Sequence, residues 1–187
     1  MPNQNQSIHN IRDSIKGFTL IEIMVSLAIV GVLASIGMPS FVEMIKKFRI
    51  NAARDDLLAS IQLAKTDAIR RGLPIILIRT STCGLSFTDA DDWRCGWQSV
   101  VDSNNNSVAD AAELAAPLQV STVPSGYVVS QTGNGSQLVI NKWGQAVGTK
   151  TFVISNTSDG LTGKATQTVC MLLGTRIFSK NGSAACS

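Results

Sequence analysis

KGFTLIEIMVSLAIVGVLASIGMPSF, residues 16–41, is the stretch that decides the architecture of this 187-residue chain. No charged residue occurs from Ile23 to Val42. At about 1.5 Å per residue this run makes roughly 30 Å of helix, which is enough to cross a bilayer. One acid, Glu22, stands at its edge. Because a carboxylate is costly in lipid, we expect Glu22 either to have a function and a partner or to lie close enough to the interface to stay hydrated.

The residues around this run favour a membrane anchor over a cleavable secretory signal. A secretory signal has a shorter apolar core and a small-residue cleavage site after it, and this sequence has neither. Arg12 and Lys16 precede the run, and positive charge is typical of the cytoplasmic end of a membrane segment. We therefore predict a single membrane pass, with the N-terminus inside and the C-terminal bulk across the membrane.

The residues K-G-F-T-L-I-E before a long apolar helix resemble the N-terminus of type IV prepilins and type II secretion pseudopilins. In that family a prepilin peptidase cuts after the glycine and methylates the new N-terminus. The resemblance implies that residues 1–17 are a leader cleaved after Gly17 and that Phe18 becomes the methylated terminus. It also implies that Glu22 pairs with the terminal amine of a neighbouring subunit.

The same resemblance implies a location and a set of partners. Pro39 falls where many pilins carry a proline that kinks the helix. The subunit would sit in the inner membrane of a Gram-negative-type bacterium, with a periplasmic head, and then enter a pilus or pseudopilus. Its partners would be other major and minor pilins or pseudopilins.

Helical periodicity continues beyond the apolar run. Apolar residues recur at spacings of three and four, as on one face of a helix: Ile50, Ala53, Leu57, Ile61, Ala64 and Ala68. Arg70 and Arg71 suit the end of a helix, where its dipole favours cations. Gly72 can cap that end and Pro74 prevents continuation. The sequence therefore predicts one helix over 18–71, bent near Pro39.

After Gly72 the apolar period changes to two, and turn residues recur. Seven strands are predicted: 73–80, 97–101, 118–123, 127–131, 137–141, 151–155 and 168–173. Strands after one helix indicate an α+β fold with an antiparallel sheet. The predicted organisation is a transmembrane and filament-core helix over 18–42, an amphipathic continuation over 43–72 and a β-rich head over 73–187.

Four cysteines lie in the predicted periplasmic part, an oxidising compartment in which disulfides are expected. Four cysteines allow three pairings. Proximity favours Cys83 with Cys95 and Cys170 with Cys186, while the other two pairings stay open. A C-terminal loop closed by the second bridge also resembles many pilins.

The sequence W-R-C-G-W at 93–97, followed by V-D-S-N-N-N-S-V-A-D-A-A-E-L at 101–114, resembles the head of FimT/FimU/GspH-type minor pilins and pseudopilins. The resemblance implies a minor pilin that helps to initiate or cap a type IV pilus, with roles in twitching motility or adhesion. Two alternatives come with it. One is a DNA-binding minor pilin that serves DNA uptake in natural transformation. The other is a GspH-like minor pseudopilin of a type II secretion system.

Residues 102–113, the polar loop, have the spacing of an oxygen-ligand calcium site. Oxygen-bearing side chains occupy positions 1, 3, 5, 9 and 12 of an EF-hand-like loop: Asp102, Asn104, Asn106, Asp110 and Glu113. Ser107 stands where that loop requires glycine. Calcium is thus one prediction for this loop, and a polar turn between strands is the other.

Charge is unevenly distributed along the head. Residues 83–120 hold six acids against one base, and residues 141–187 hold five bases against one acid. DNA-binding relatives carry a basic G-R-x-R motif near the C-terminus, and G-T-R-I at 174–177 keeps only one of its arginines. The candidate contacts to double-stranded DNA phosphates are Lys164, Arg176 and Lys180. A solvated basic face is the alternative. The tryptophans, Trp93, Trp97 and Trp143, are predicted to pack in the core or on a sheet face, and the alternative is that they are stacking platforms for bases.

Catalysis is not expected. The one histidine, His9, lies in the predicted leader, which excludes histidine chemistry in the processed chain. The sequence has no C-x-x-C metal motif, and no nucleophile–base pair stands out. The sequence therefore predicts a structural protein, with no cofactor other than the calcium considered above.

Overall fold

The computed structural model describes residues 17–81, 83–84, 89–132, 135–184 and 186. Residues 1–16 of the predicted leader lie outside this description. The chain divides into two compact units at the boundary between Val42 and Glu43. Helix α1 (Leu20–Arg71) contributes its first part to one unit and its second part to the other, and each unit is described by itself.

In the first unit, the apolar side chains that the structure describes are exposed around the whole helix, from Leu20 to Val42. A helix that is apolar on every side is buried when it functions, in lipid or among other helices. Among the described residues no single helix meets a length and hydropathy test for crossing a membrane, but Leu20–Ser35 and Ser40–Arg71 meet it together. Helix α1 runs on through Pro39, and the bend there stays a prediction.

The second part of α1 carries the buried face that the periodicity predicts. All six predicted positions are buried: Ile50, Ala53, Leu57, Ile61, Ala64 and Ala68. The helix ends where the sequence indicates, because Gly72 takes a left-handed φ of 68° and its N–H donates to the carbonyl of Ala68 at 2.9 Å. A left-handed residue at this position closes a helix.

Beyond α1 the described chain forms eight strands and one short helix. These are β1 (Ile75–Arg79), β2 (Trp97–Val101), α2 (Ala111–Leu114), β3 (Gln119–Ser121), β4 (Tyr127–Thr132), β5 (Gln137–Ile140), β6 (Lys150–Asn156), β7 (Gln167–Met171) and β8 (Ile177–Asn181). All seven predicted strands are present, with ends that differ by two residues at most. The short helix and β8 were not predicted, and α1 begins two residues later than expected.

The strands form two four-stranded antiparallel sheets, in the orders β3-β2-β1-β5 and β4-β6-β7-β8. In the first sheet, β1 is central and Ile75 pairs with both Val101 and Ile140. In the second, β6 lies between β4 and β7, so Phe152 pairs with Gln131 on one side and Val169 on the other. A helix followed by antiparallel sheets confirms the predicted α+β class.

One hydrophobic core joins α1 to both sheets of the second unit. Its largest buried members include Leu57 and Ile61 of α1, Trp97 of β2 and Phe152 of β6. The rings of Trp93 and Phe152 meet edge to face, with centroids 5.0 Å apart, an arrangement that stabilises aromatic pairs beyond simple burial. The core lies wholly within Glu43–Ser187.

Candidate functional site

The predicted processing site lies just before the start of α1. Gly17, Phe18 and Thr19 are not helical, and all three are exposed. A side chain at Gly17 would meet no atom within 4 Å. The bond after Gly17 therefore lies in an exposed, non-helical segment.

Thr19 and Glu22 form a reciprocal cap at the start of α1. The Thr19 N–H and hydroxyl both donate to Glu22 Oε2 at 3.1 Å, and the Glu22 N–H donates to Thr19 Oγ1 at 3.2 Å. This is a capping box, in which two side chains satisfy helix N–H groups that have no partner in the helix. Sequence reasoning missed the role of Thr19, although the T-x-x-E spacing of residues 19–22 is its signal.

The carboxylate of Glu22 is only partly used by this cap. Among the residues that the structure describes, its hydrogen bonds all reach Oε2, so Oε1 keeps its acceptor capacity. The side chain is exposed in the single chain, and so is Phe18. The geometry therefore leaves one carboxylate oxygen for a donor from outside the chain.

Both disulfides that proximity favours are present in the structure. Cys83 bonds to Cys95 and Cys170 to Cys186, with Cα–Cα distances of 5.6 and 5.5 Å. The first bridge ties residue 83 to the segment that enters β2. The second ties the C-terminal segment to β7, so it closes the C-terminal loop.

The polar loop is held by its own hydrogen bonds. The buried Asp102 accepts the N–H groups of Asn106 and Ser107, at 3.0 and 2.9 Å. Glu113 accepts the Ser103 N–H at 2.7 Å and the Asp110 N–H at 3.1 Å. These two backbone hydrogen bonds, the Ser103 bond first, lower the pKa of Glu113 below its usual value.

The other predicted calcium ligands also serve the loop itself. The side-chain amides of Asn104 and Asn106 both donate to Asp110 Oδ2, at 2.7 and 3.1 Å. Ser107 takes φ 62°, the left-handed conformation for which glycine is preferred. In the described chain no group of three or more His, Cys, Asp or Glu side chains is placed to hold a metal ion. Calcium stays a prediction for this loop.

The structure places two of the three predicted DNA-contacting cations near each other in sequence, one in strand β8 and one just before it. Arg176 precedes β8 and its guanidinium lies 5.0 Å from the centroid of the Phe178 ring. Lys180 lies in β8 two residues after Phe178, and alternate residues of a strand share a face. Lys164 lies in the β6–β7 connection, beside a shallow pocket that Glu43 also lines.

The three tryptophans have different environments. Trp93 and Trp97 are buried, and Trp97 Nε1 donates to Ser60 Oγ at 2.9 Å. The packing prediction is wrong for Trp143, whose side chain is 69% exposed, with Lys142 Nζ 5.1 Å from its ring centroid. Trp143 lies in the turn after β5, where the next residue, Gly144, packs against Ile69 of α1 and leaves the Trp143 side chain outside.

An ion pair links the start of the second part of α1 to the β6–β7 connection. Lys46 Nζ lies 3.2 Å from Asp159 Oδ1 and 3.1 Å from Glu43 Oε1. Hydrogen bonds to Glu43 and Asp159 raise the pKa of Lys46. The hydrogen bond from Lys46, with a second from Ser158, lowers the pKa of Asp159.

Comparison with known protein families gives two matches. A family model described as Type II transport protein GspH matches residues 53–173, and one described as Prokaryotic N-terminal methylation motif matches residues 12–38. The first range covers most of the head and the polar loop. The second contains Gly17, Phe18 and Glu22 and ends one residue before Pro39.

Individual proteins that are similar to this chain include type IV pilins. The chain is 23% identical over 146 residues to the type IV major alpha-pilin of Moraxella bovis, covering 78% of this chain and 82% of that protein. Two crystal structures of the type IV minor pilin FimU from Pseudomonas aeruginosa have TM-scores of 0.54 and 0.56 at 20% and 16% identity. They cover 73% and 75% of this chain, and 96% and 99% of the FimU chains. At such identities the structures show a shared fold.

Proposed function

The chain belongs to the Type II transport protein GspH family and is a type IV minor pilin or pseudopilin, and on this premise we propose that it helps to initiate or cap a type IV pilus. The family is one of structural subunits that assemble with other pilins or pseudopilins. The N-terminal motif implies a membrane-anchored subunit. The finer role, in the assembly of a pilus, is our proposal.

One observation carries this proposal: the arrangement of Phe18, Thr19 and Glu22 at the start of an apolar helix. Thr19 donates to Glu22 Oε2 and leaves Oε1 available, and Phe18 is exposed. After cleavage at Gly17, the amine of Phe18 would be the cation that a neighbouring Glu22 needs. An ion pair in a medium of low dielectric constant is far stronger than the same pair in water. Correct pairing therefore favours incorporation of the subunit among other helices.

The experiment replaces Glu22 in the full chain in two ways and measures incorporation into sheared filaments. Glu22→Gln keeps a capping box, which accepts either residue, but removes the charge. Glu22→Ala removes both the cap and the charge. We expect both variants to be cleaved normally and to be depleted from filaments. Normal incorporation of Glu22→Gln would mean that the acid acts only as a helix cap.

A processing variant separates assembly from cleavage. Gly17→Val should block removal of the leader and leave a longer membrane-bound product, visible by its size on a gel. Its absence from filaments would then follow from the missing amine at Phe18. A Gly17→Val chain of mature length would contradict the proposed cleavage site.

A role in type II secretion is the second candidate, favoured by the description of the matching family. The same helix and acid would serve a pseudopilus. Deletion of the gene in a strain that has both systems separates the two roles. Loss of surface pili with normal secretion supports the first role, and the reverse result supports the second.

A further inference from the structure

A cleft of about 430 Å³ lies on the outer face of the second sheet. Tyr127, Val129 and Gln131 of β4 are buried on the core side, so Val128 and Ser130 point the other way. Val128 and Ser130 both line the cleft. The cleft is therefore built on a sheet face that the hydrophobic core does not use.

The cleft is acidic. Among the residues that the structure describes, the lining has three aspartates, Asp89, Asp91 and Asp92, and one cation, Arg94. Arg94 Nη2 pairs with Asp92 Oδ2 at 2.5 Å, and Asp91 Oδ1 accepts the Gly135 N–H at 3.0 Å. The lining thus has more negative than positive charge, and a concave surface of one sign attracts counter-charges.

A second, independent feature points to a ligand. Ser155 also lines the cleft, its residue is 1% exposed, and its Oγ has no hydrogen-bond partner among the described residues. Ser155 pairs with Val128 across β4 and β6, which places it in the same face of the sheet. A buried hydroxyl is destabilising without a partner, and it accepts a hydrogen bond from any N–H donor that reaches it.

These features together define the chemistry of the occupant. Carboxylates and a hydroxyl acceptor suit a cationic group that carries several N–H donors. Val128 and Leu161 add apolar surface to the lining, which suits the aliphatic stem of a long basic side chain. We propose that the cleft receives a lysine or arginine side chain from the head of a neighbouring pilin-type subunit.

This proposal rests on the proposed function, which supplies the neighbouring subunits. A basic side chain in an acidic cleft joins two different surfaces, and contacts of this heterologous kind build open helical filaments when the rotation between subunits does not close a ring. Charge complementarity of this kind fixes the register of two partners more than it raises affinity. The cleft would then set the orientation of each head, while the apolar helices hold the subunits together.

The test uses the full chain, expressed in its own cells. A photo-crosslinking amino acid replaces Leu161, which is 45% exposed at the cleft. We expect adducts with a second pilin-type chain, mapped by mass spectrometry to a peptide that contains lysine or arginine. Asp89→Asn with Asp91→Asn should reduce the adduct at least fivefold.

A matched double variant controls for total charge. Asp55→Asn with Asp56→Asn, on α1 and outside the cleft lining, should leave the adduct unchanged. The same samples are assayed for the subunit in sheared filaments. If the subunit is in filaments but the adduct is absent, or unaffected by the cleft variants, the cleft proposal is wrong and the assembly role stands. If the subunit with the unchanged aspartates is absent from filaments, both proposals are wrong.

Discussion

Gly96, inside the W-R-C-G-W sequence, offers a sharp test of how the head is packed. It takes φ 98°, and a Cβ added there would lie 2.0 Å from the carbonyl oxygen of Ser121 and 2.8 Å from Thr122 Cα. Ordinary contacts of a Cβ begin at 3.4 Å, so β3 would have to move by more than about 1 Å. That movement disturbs the pairing of Trp97 with Ser121, which joins β2 to β3.

The cost of Gly96→Ala has two parts. A left-handed alanine costs about 1–2 kcal/mol, and forcing atoms into a packed region costs roughly 1–3 kcal/mol more. Gly126→Ala is the matched control, because Gly126 takes φ 86° with no atom within 4 Å of an added Cβ. The difference between the two variants therefore isolates the overlap.

The assay is urea unfolding of residues 43–187 with both disulfides intact, followed by tryptophan fluorescence. We expect Gly96→Ala to lower the free energy of unfolding by about 1–3 kcal/mol more than Gly126→Ala does. If the two variants lower the free energy of unfolding equally, within about 0.5 kcal/mol, β3 does not pack tightly against Gly96.

Three further predictions concern charge. The pKa values of Asp159 and Glu113 are lowered in the folded head, so each carboxylate stabilises the head above the ordinary carboxyl pKa near 4, and this contribution is lost as pH falls through the lowered value. Asp159→Asn with Glu113→Gln should therefore flatten the fall in melting temperature below about pH 4. An unchanged slope of melting temperature against pH contradicts this. The raised pKa of Lys46 means that its contribution to stability is complete below about pH 10.4 and is lost as pH rises through the higher folded value. Lys46→Met should therefore lower the melting temperature of the head at pH 7, and the difference from the unchanged head should shrink as the pH rises above about 10.4. A difference that stays constant contradicts this. If Arg176 and Lys180 contact DNA, Arg176→Ala with Lys180→Ala should abolish a mobility shift of DNA by the head at low salt. If the unchanged head gives no shift, the DNA-binding alternative is removed.

Calcium binding by the polar loop has a direct test. Removing calcium with a chelator should lower the melting temperature of the head if the ion stabilises the native state. Asp102→Asn should remove the effect of the chelator. If the melting curve is the same with and without chelator, the loop is stabilised by its internal hydrogen bonds and not by calcium.

Much of the fold follows from periodicity in the sequence. The spacing from Ile50 to Ala68 identifies the buried face of α1 because a helix repeats every 3.6 residues. The buried positions of β4 alternate in the same way with period two. Strand β8 was missed because it lies at the edge of its sheet, where none of its residues is fully buried and no alternation is imposed. The short helix α2 has four residues, which is too few to show a period.

The candidate sites could be predicted only where one local segment carries them. Gly17, Phe18 and Glu22 lie within six residues, so their motif is visible in the sequence. The cleft is different, because the pairing of Asp92 with Ser130 brings two distant segments together. Its acidic wall was visible as a local excess of acids, but the unpartnered hydroxyl of Ser155 depends on which way β6 faces.

Glu22 has two uses: it caps the helix in the single chain and, in the proposed filament, it pairs with the amine of a neighbouring subunit. Before assembly, Thr19 donates two hydrogen bonds to the carboxylate, and bonds of this kind offset part of the cost of removing a charge from water. On the proposed function, the neighbouring amine then binds at Oε1, so the cap is kept and the charge is neutralised. A subunit without an available amine leaves that charge unpaired in an apolar bundle, which is strongly unfavourable. Glu22→Gln is therefore the decisive variant, because it removes the charge and keeps the cap.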